Sequence, residues 1–179
     1  VDLTLRCDDA ACHSVTVKAE IYDKDQLAAE TTTGDVTIAA KDKANLSLGC
    51  DIREPKLWDC DNPNLYRAVV HVYENGTEID TYETRFGFRT IRFDADHGFF
   101  LNDKPVKING VCCHEDYGLE GKAVSDSVKR LRLERLREMG ANGYRTAHYP
   151  HSEATFNYCD ELGFLVMAET RWFESTKEG

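Results

Sequence analysis

The alternation of strand and helix patterns in the second half of this 179-residue chain constrains its fold more than any other feature. Three short apolar runs are separated by two segments with the pattern of helices, one opening at Ser125 and ending at Gly140, the other covering residues 152–161. The apolar runs cover residues 106–112, 143–147 and 164–168. Strand, helix, strand, helix and strand at these lengths indicate parallel strands joined by crossover helices. The pattern therefore predicts a βαβαβ unit.

Polar side chains follow each of the three predicted parallel strands. His114 and Asp116 come after the first strand, His148 after the second and Glu169 after the third. Sheets and barrels of the α/β class place their active sites at the carboxyl ends of their strands. We therefore expect a functional site at this end of the unit.

The first half of the chain has the pattern of an antiparallel β-sheet protein. Short alternating segments such as 14–22 are separated by polar turns, and no helical periodicity of useful length occurs. Asn75-Gly76 between two apolar runs predicts a tight hairpin, and Asn102-Asp103 predicts a second hairpin between 98–101 and 105–108. We predict an immunoglobulin-like β-sandwich over residues 1–92, followed by an α/β domain over residues 93–179.

Composition and cysteine usage exclude several classes of partner. The net charge of −10 argues against nucleic acid, and no apolar run is long enough to cross a membrane. Seven cysteines without a Cys-x-x-Cys pair favour reduced thiols in a cytoplasmic protein. A Cys7–Cys12 or Cys50–Cys60 bridge stays open for an exported protein. Adjacent residues on a strand face opposite ways, so Cys112 and Cys113 cannot share a metal ion.

Several motifs, in order along the chain, closely resemble glycoside hydrolase family 2, the family of β-galactosidases, β-glucuronidases and β-mannosidases. They are Trp58 and the segments 61–66, 87–89, 98–102, 110–116, 145–150 and 159–163. The resemblance implies a multidomain protein, with an immunoglobulin-like sandwich followed by the first strands and helices of a (β/α)8 TIM barrel. It also implies a retaining exo-β-glycosidase that hydrolyses terminal β-linked sugars.

The resemblance assigns a role to each polar residue at the strand ends. It implies that His148 binds hydroxyls of the sugar, since a neutral imidazole offers one donor and one acceptor. It implies that Arg145 reaches through the barrel to the nucleophilic carboxylate, and that Glu169, which closes the third strand, is likewise a supporting residue without direct contact to the sugar. Because Arg145 precedes His148 by three residues, strand alternation predicts that the two side chains point in opposite directions.

The same resemblance places His114 and Asp116 at the rim of the sugar pocket. It places Trp172 where its ring would stack on a sugar face. The segment 169–175 favours a β-galactoside over a glucuronide as the carbohydrate partner. Some β-galactosidases bind magnesium here through a Glu-x-His pair, but Phe173-Glu174-Ser175 lacks the histidine, so we expect no metal and no cofactor.

Retaining glycosidases need two carboxyl groups about 5–5.5 Å apart. In the family these come from barrel strands four and seven, the acid/base within an Asn-Glu pair. No Asn-Glu dipeptide follows residue 92. We therefore expect the catalytic glutamates to lie outside this sequence and the fragment to be inactive alone. We also expect residues 93–179 to be partly disordered in isolation, or to form a homo-oligomer, because an open parallel sheet leaves an edge uncovered.

Two other interpretations stay open at this point. A non-catalytic β-sandwich that binds carbohydrate or protein fits residues 1–92, which carry no titratable cluster of catalytic type. Another clan of barrel glycosidases with similar strand ends fits the second half, although the preceding sandwich speaks against it.

Overall fold

A computed structural model of the chain describes residues 1–118 and 120–170. It divides into two compact units. The first contains Val1–Lys56 and Leu65–Gly87, and the second contains Leu57–Asn64 together with the chain from Phe88 onward. The boundary at residue 92 between the sandwich and the barrel domain stays a prediction.

The first unit consists of antiparallel β-sheet, and its described residues form no helix. One sheet has the strand order β3-β2-β6-β7, with β4 also paired to β2, and the other pairs β1 with β5. The strands are β1 (Asp2–Arg6), β2 (His13–Asp23), β3 (Gln26–Thr32), β4 (Val36–Ile38), β5 (Lys43–Ser47), β6 (Tyr66–Glu74) and β7 (Thr77–Phe86). The predicted sandwich is confirmed.

Strand alternation explains the core of this unit. Along β2, every second residue from Val15 to Ile21 is buried, and Val17 and Ala19 pack with Leu48 and Val70. The residues between them face outward, where Lys18 and Glu20 form an ion pair at 2.7 Å. A period of two thus places one apolar and one polar face on the same strand.

Both predicted hairpin turns are present. Asn75 and Gly76 have φ angles of 51° and 77°, the left-handed conformation that a two-residue hairpin needs at both positions. Asn102 and Asp103 adopt similar angles of 50° and 61°. The strand after this second turn covers Lys104–Pro105 and not the predicted 105–108, and one further hydrogen bond, from the Val106 N–H to the Phe99 carbonyl oxygen at 2.9 Å, follows it.

The second unit contains the predicted βαβαβ arrangement. A small antiparallel sheet of β8 (Ile91–Asp94), β9 (Gly98–Leu101) and β10 (Lys104–Pro105) precedes it. The parallel strands β11, β12 and β13 are then joined by two helices. Their bounds are β11 (Gly110–Cys113), α1 (Asp126–Glu138), β12 (Gly143–Thr146), α2 (Glu153–Leu162) and β13 (Leu165–Met167). The first parallel strand begins four residues later than predicted.

The helices cover one face of the parallel sheet and form its core. Leu133 from α1 and Cys159 from α2 pack with Ala141, Tyr144 and Phe164. Burial raises the pKa of the Cys159 thiol to about 12, so this thiol acts as a small apolar side chain. All seven cysteines are free thiols. In the described part of the chain, neither the 13-residue α1 nor the 10-residue α2 is long and apolar enough to cross a bilayer.

Trp58 connects the segment 57–64 to helix α2 within the second unit. Its side chain is 2% exposed, and its indole Nε1–H donates to the Asp160 carbonyl oxygen at 2.8 Å. We expect Trp58→Phe to lower the free energy of unfolding of this unit by about 1–3 kcal/mol, because a buried hydrogen bond is lost while most of the ring volume remains. Urea denaturation followed by circular dichroism measures this change.

Tyr158→Phe is the matched control for Trp58→Phe. The Tyr158 hydroxyl makes no hydrogen bond to any described residue, so we expect its removal to shift the unfolding free energy by less than about 0.5 kcal/mol. Equal effects of the two substitutions would show that the indole hydrogen bond contributes nothing to stability.

Candidate functional site

Three charged or polar side chains meet at the carboxyl ends of β12 and β13. Glu169 forms an ion pair with Arg145, and its Oε2 lies 3.1 Å from Nδ1 of His148. Nη2 of Arg145 lies 3.5 Å from the same Nδ1. Strand register brings the ends of β12 and β13 side by side, because Arg145 pairs with Met167, and Glu169 lies two residues beyond that strand end.

The backbone and the neighbouring strand hold this cluster in place. The Glu169 N–H donates to Oγ1 of Thr146 at 2.7 Å, and Thr146 is fully buried. Nη1 of Arg145 lies 3.2 Å from Sγ of Cys112, its register partner on β11. The Glu169 side chain is 22% exposed and that of His148 is 51% exposed. The carboxylate is therefore anchored and the imidazole is accessible.

The prediction that Arg145 and His148 point in opposite directions is wrong. Both side chains contact the carboxylate of Glu169. The alternation of side chains applies only within a strand, and β12 ends at Thr146. His148 lies two residues beyond that end, in the loop before α2, where the backbone turns it toward Arg145.

His114 joins the same cluster, whereas Asp116 does not. The His114 ring is edge-on to the His148 ring, with centroids 5.3 Å apart, and it lies 6.1 Å from the ring of Tyr149. Asp116 is exposed, and within residues 1–118 and 120–170 nothing is hydrogen-bonded or ion-paired to its side chain. The sugar contacts of both residues stay predictions.

The other site expectations fall partly outside the described residues. Trp172 and the segment 173–175, on which the stacking and magnesium arguments rest, belong to the part of the chain that the structure does not describe. Where side chains are described, no group of three histidine, cysteine, aspartate or glutamate residues is arranged to hold a metal ion.

Glu115 is a residue of this region that sequence reasoning passed over. Its carboxylate binds Ser152 and Thr155 in the first turn of α2. A sequence signal for this role existed. Ser152 is the N-cap of α2, but the third helical position is Thr155 and not the Glu or Gln of a capping box, so the helix needs an acceptor from elsewhere.

An apolar cavity lies along the three parallel strands. It has a volume of about 450 Å³ and is lined by the first residues of the three parallel strands, with Ile91, Phe99 and Ile108 beside them. It shares Arg145 and Cys112 with the polar cluster, but His148 and Glu169 do not line it. In barrels of this kind the amino-terminal end serves stability and the carboxyl-terminal end serves chemistry.

The polar cluster is suited to binding hydroxyl groups. If the Nδ1 proton of His148 is directed at Glu169, the Nε2 atom is free to accept a hydrogen bond from a hydroxyl. The guanidinium of Arg145 supplies several donors in a fixed plane, and a carboxylate supplies acceptors. Such a set of donors and acceptors matches the alternating hydroxyls of a sugar ring.

Comparison with known proteins gives a consistent result. The model of glycosyl hydrolases family 2 matches residues 1–89, and the model of the family 2 TIM barrel domain matches residues 94–176. Beta-galactosidase BoGH2A of Bacteroides ovatus is 39% identical over 157 residues, which are 87% of this chain and 18% of that protein. Beta-glucuronidase of Bacteroides fragilis is 33% identical over 148 residues, which are 76% of this chain and 21% of that protein.

A solved structure shows the same architecture. The crystal structure of Bacteroides uniformis beta-glucuronidase superposes with a TM-score of 0.88 at 30% identity, over 94% of this chain and 20% of that one. The chain thus spans about a fifth of the length of these proteins. The predicted fold class, a sandwich followed by the start of a TIM barrel, is confirmed. With two family models matching in order and this structural likeness, the chain belongs to glycosyl hydrolases family 2.

Proposed function

We propose that the protein carrying this chain is a retaining exo-β-glycosidase that removes terminal β-linked sugars, and that its sugar is a β-galactoside. The observation that carries the proposal is the cluster of Arg145, Glu169 and His148 at the carboxyl ends of parallel strands in a family 2 chain. Retaining hydrolysis proceeds by double displacement, with one carboxylate as nucleophile and one carboxylic acid as proton donor.

In this proposal the residues of this chain bind and orient, and the glutamates that make and break bonds come from other parts of the protein. His148 and His114 contact sugar hydroxyls, and Asp116 and Trp172 border the pocket. Arg145 donates to the nucleophile and keeps it ionised, since a nearby cation stabilises a carboxylate. Glu169 holds Arg145 in the orientation that this contact requires.

The charges of the cluster support a neutral sugar. A glucuronide carries a carboxylate, which would need a cation not already paired. Arg145 is paired with Glu169, and Asp116, two residues after His114 in the sequence, adds a negative charge. Hydrolysis of β-glucuronides is the second candidate, because a Bacteroides fragilis relative and a similar Bacteroides uniformis structure bear that name.

Chromogenic substrates test the proposal on the protein that carries this chain. We expect kcat/KM for a nitrophenyl β-galactoside to exceed that for the β-glucuronide by at least about tenfold, since an unpaired substrate charge is strongly disfavoured. The α-galactoside is the control and should not react. Proton NMR should show the β-anomer as first product.

Three other outcomes of these experiments would each contradict one part of the proposal. Preferential cleavage of the glucuronide would establish the second candidate. An α-anomer as first product would contradict the retaining mechanism. Galactoside binding without any hydrolysis would favour the non-catalytic binding protein.

A further inference from the structure

We propose that Glu115 is a positioning residue of this site. Its carboxylate binds the first turn of α2 and thereby holds the loop 147–152, which carries His148, against the end of β11, which carries His114. The structural part of this inference stands on the described contacts alone. Its consequence for activity rests on the proposed function.

The carboxylate of Glu115 accepts three hydrogen bonds from one helical turn. Oε2 accepts the backbone N–H of Ser152 at 2.9 Å, and Oε1 accepts the hydroxyls of Ser152 at 2.5 Å and Thr155 at 2.6 Å. Ser152 makes no side-chain cap of its own helix, and Thr155 is only 2% exposed. Glu115 therefore accepts the N–H of the N-cap residue, as the Glu or Gln of a capping box does, but from a different strand end, and its negative charge suits the helix N-terminus.

A second contact ties Glu115 to the middle of the same loop. Its backbone N–H donates to the hydroxyl oxygen of Tyr149 at 3.1 Å. The Tyr149 ring packs 6.1 Å from the His114 ring and 5.4 Å from the ring of His151. The loop is thus held at Tyr149 and at Ser152, while its other end continues strand β12. Little freedom is left for His148, which lies between these points.

The network requires Glu115 to be ionised, because a protonated carboxyl group cannot accept all three bonds. Burial alone would raise the pKa of Glu115, but the hydrogen bonds from Ser152 and Thr155 outweigh it and hold the pKa below its usual value of 4.5. Two titratable groups face this network. His151 of the loop is one, and burial lowers its pKa. Lys129 of α1 is the other, and its Nζ lies 3.1 Å from Oγ of Ser152 and from Oδ1 of Asp126.

The lowered pKa of Glu115 determines how its contribution to stability depends on pH. Since its pKa is lower in the folded chain than in the unfolded chain, the contribution is present above about pH 4.5 and is lost as the pH falls through the folded value. We expect the difference in Tm between the wild-type chain and Glu115→Gln to narrow below pH 4.5. A difference that stays constant from pH 7 to about pH 3 would overturn the role of the ionised carboxylate.

Histidine NMR on the protein that carries this chain tests the positioning directly. In Glu115→Gln we expect the ring Hε1 resonances of His114 and His148 to shift, because the distance and angle between the two rings change. The resonances of His13, His71 and His97, which lie far along the chain from this loop, serve as internal references.

Glu153→Gln is the matched control. It removes a carboxylate from the same helical turn, but Glu153 is exposed and its side chain has no partner among the described residues. We expect it to leave the His114 and His148 resonances in place. If Glu115→Gln lowers Tm while both resonances stay unchanged in the folded chain, Glu115 has only a structural role and the proposal is overturned.

Kinetics on the protein that carries this chain test the effect of Glu115 on activity separately from its positioning role. We expect Glu115→Gln to raise KM for the β-galactoside about tenfold with a smaller change in kcat, since misplaced imidazoles weaken ground-state binding of the sugar. If the wild-type protein hydrolyses no β-glycoside, the proposed function fails, whereas the histidine resonances still decide the positioning. An active protein in which Glu115→Gln leaves KM unchanged would overturn the functional consequence.

Discussion

Gly163→Ala is expected to destabilise the second unit by about 4 kcal/mol or more, a large fraction of the about 5–15 kcal/mol that stabilises a single domain. Gly163 ends helix α2 with a φ of 76°, a left-handed conformation that costs an alanine about 1–2 kcal/mol. A Cβ at this position would also lie 2.8 Å from the carbonyl carbon of Cys60 and closer still to its oxygen.

The clash at Gly163 cannot be relieved by rotation of a side chain, because the atoms it meets are backbone. The Cys60 carbonyl is itself held in place, since it accepts a hydrogen bond from Nη2 of Arg137 at 2.7 Å. Moving the segment away would break this bond and disturb the buried Trp58 nearby in sequence. Urea unfolding followed by circular dichroism, with expression yield as a second readout, measures the effect.

Gly140→Ala is the control that separates the two causes of the Gly163→Ala destabilisation, the left-handed backbone and the clash with Cys60. Gly140 follows α1 with a φ of 88°, but a Cβ there would have nothing within 4 Å. We expect it to cost only the conformational penalty of about 1–2 kcal/mol. If both substitutions shift the urea midpoint equally, close contact with Cys60 is not the reason that position 163 is glycine.

Glu169→Gln is expected to lower kcat/KM of the protein that carries this chain about 100-fold. The substitution keeps the size of the side chain but removes the charge that pairs with Arg145 and accepts from His148. The side chains of Arg145 and His148 are 42% and 51% exposed, so loss of this anchor lets them move. A displacement of about 1 Å in a positioned group can cost a factor of about 10² in rate.

Glu138→Gln is the matched control for Glu169→Gln. Glu138 also pairs with an arginine, Arg135, at 2.7 Å, but this pair lies exposed on the surface of α1. We expect kcat/KM to be unchanged by its removal, since exposed ion pairs contribute little. Wild-type activity in Glu169→Gln would show that the cluster at the carboxyl ends of the strands does not serve catalysis.

Much of the second unit could be predicted from local patterns. The helical spacing of Leu133 and Leu136, a serine before each helix and a glycine after each one locate α1 and α2 to within a residue or two. These signals act over a few residues and do not depend on the rest of the fold. The ends of the strands were predicted less accurately, because the length of a strand depends on how far the neighbouring strand pairs with it.

The candidate site was predicted only in part, because its arrangement also depends on contacts between residues far apart in the sequence. Its residues are visible in sequence because polar side chains directly after apolar strands are unusual. Their mutual arrangement is not, since the extended alternation that placed Arg145 opposite His148 stops at Thr146. Glu115 was passed over because its partners, Ser152 and Thr155, lie 37 and 40 residues away.

The amino-acid sequence by itself determined the order of elements, the family and the set of polar residues at the strand ends. These depend on periodicity, turn chemistry and motifs, which are properties of neighbouring residues. Only the tertiary structure decided that Glu169 joins Arg145 to His148 and that Glu115 holds the loop beside them. Both arrangements depend on strand register and on hydrogen bonds between residues that are 21 to 40 positions apart in the sequence. No local pattern encodes such geometry.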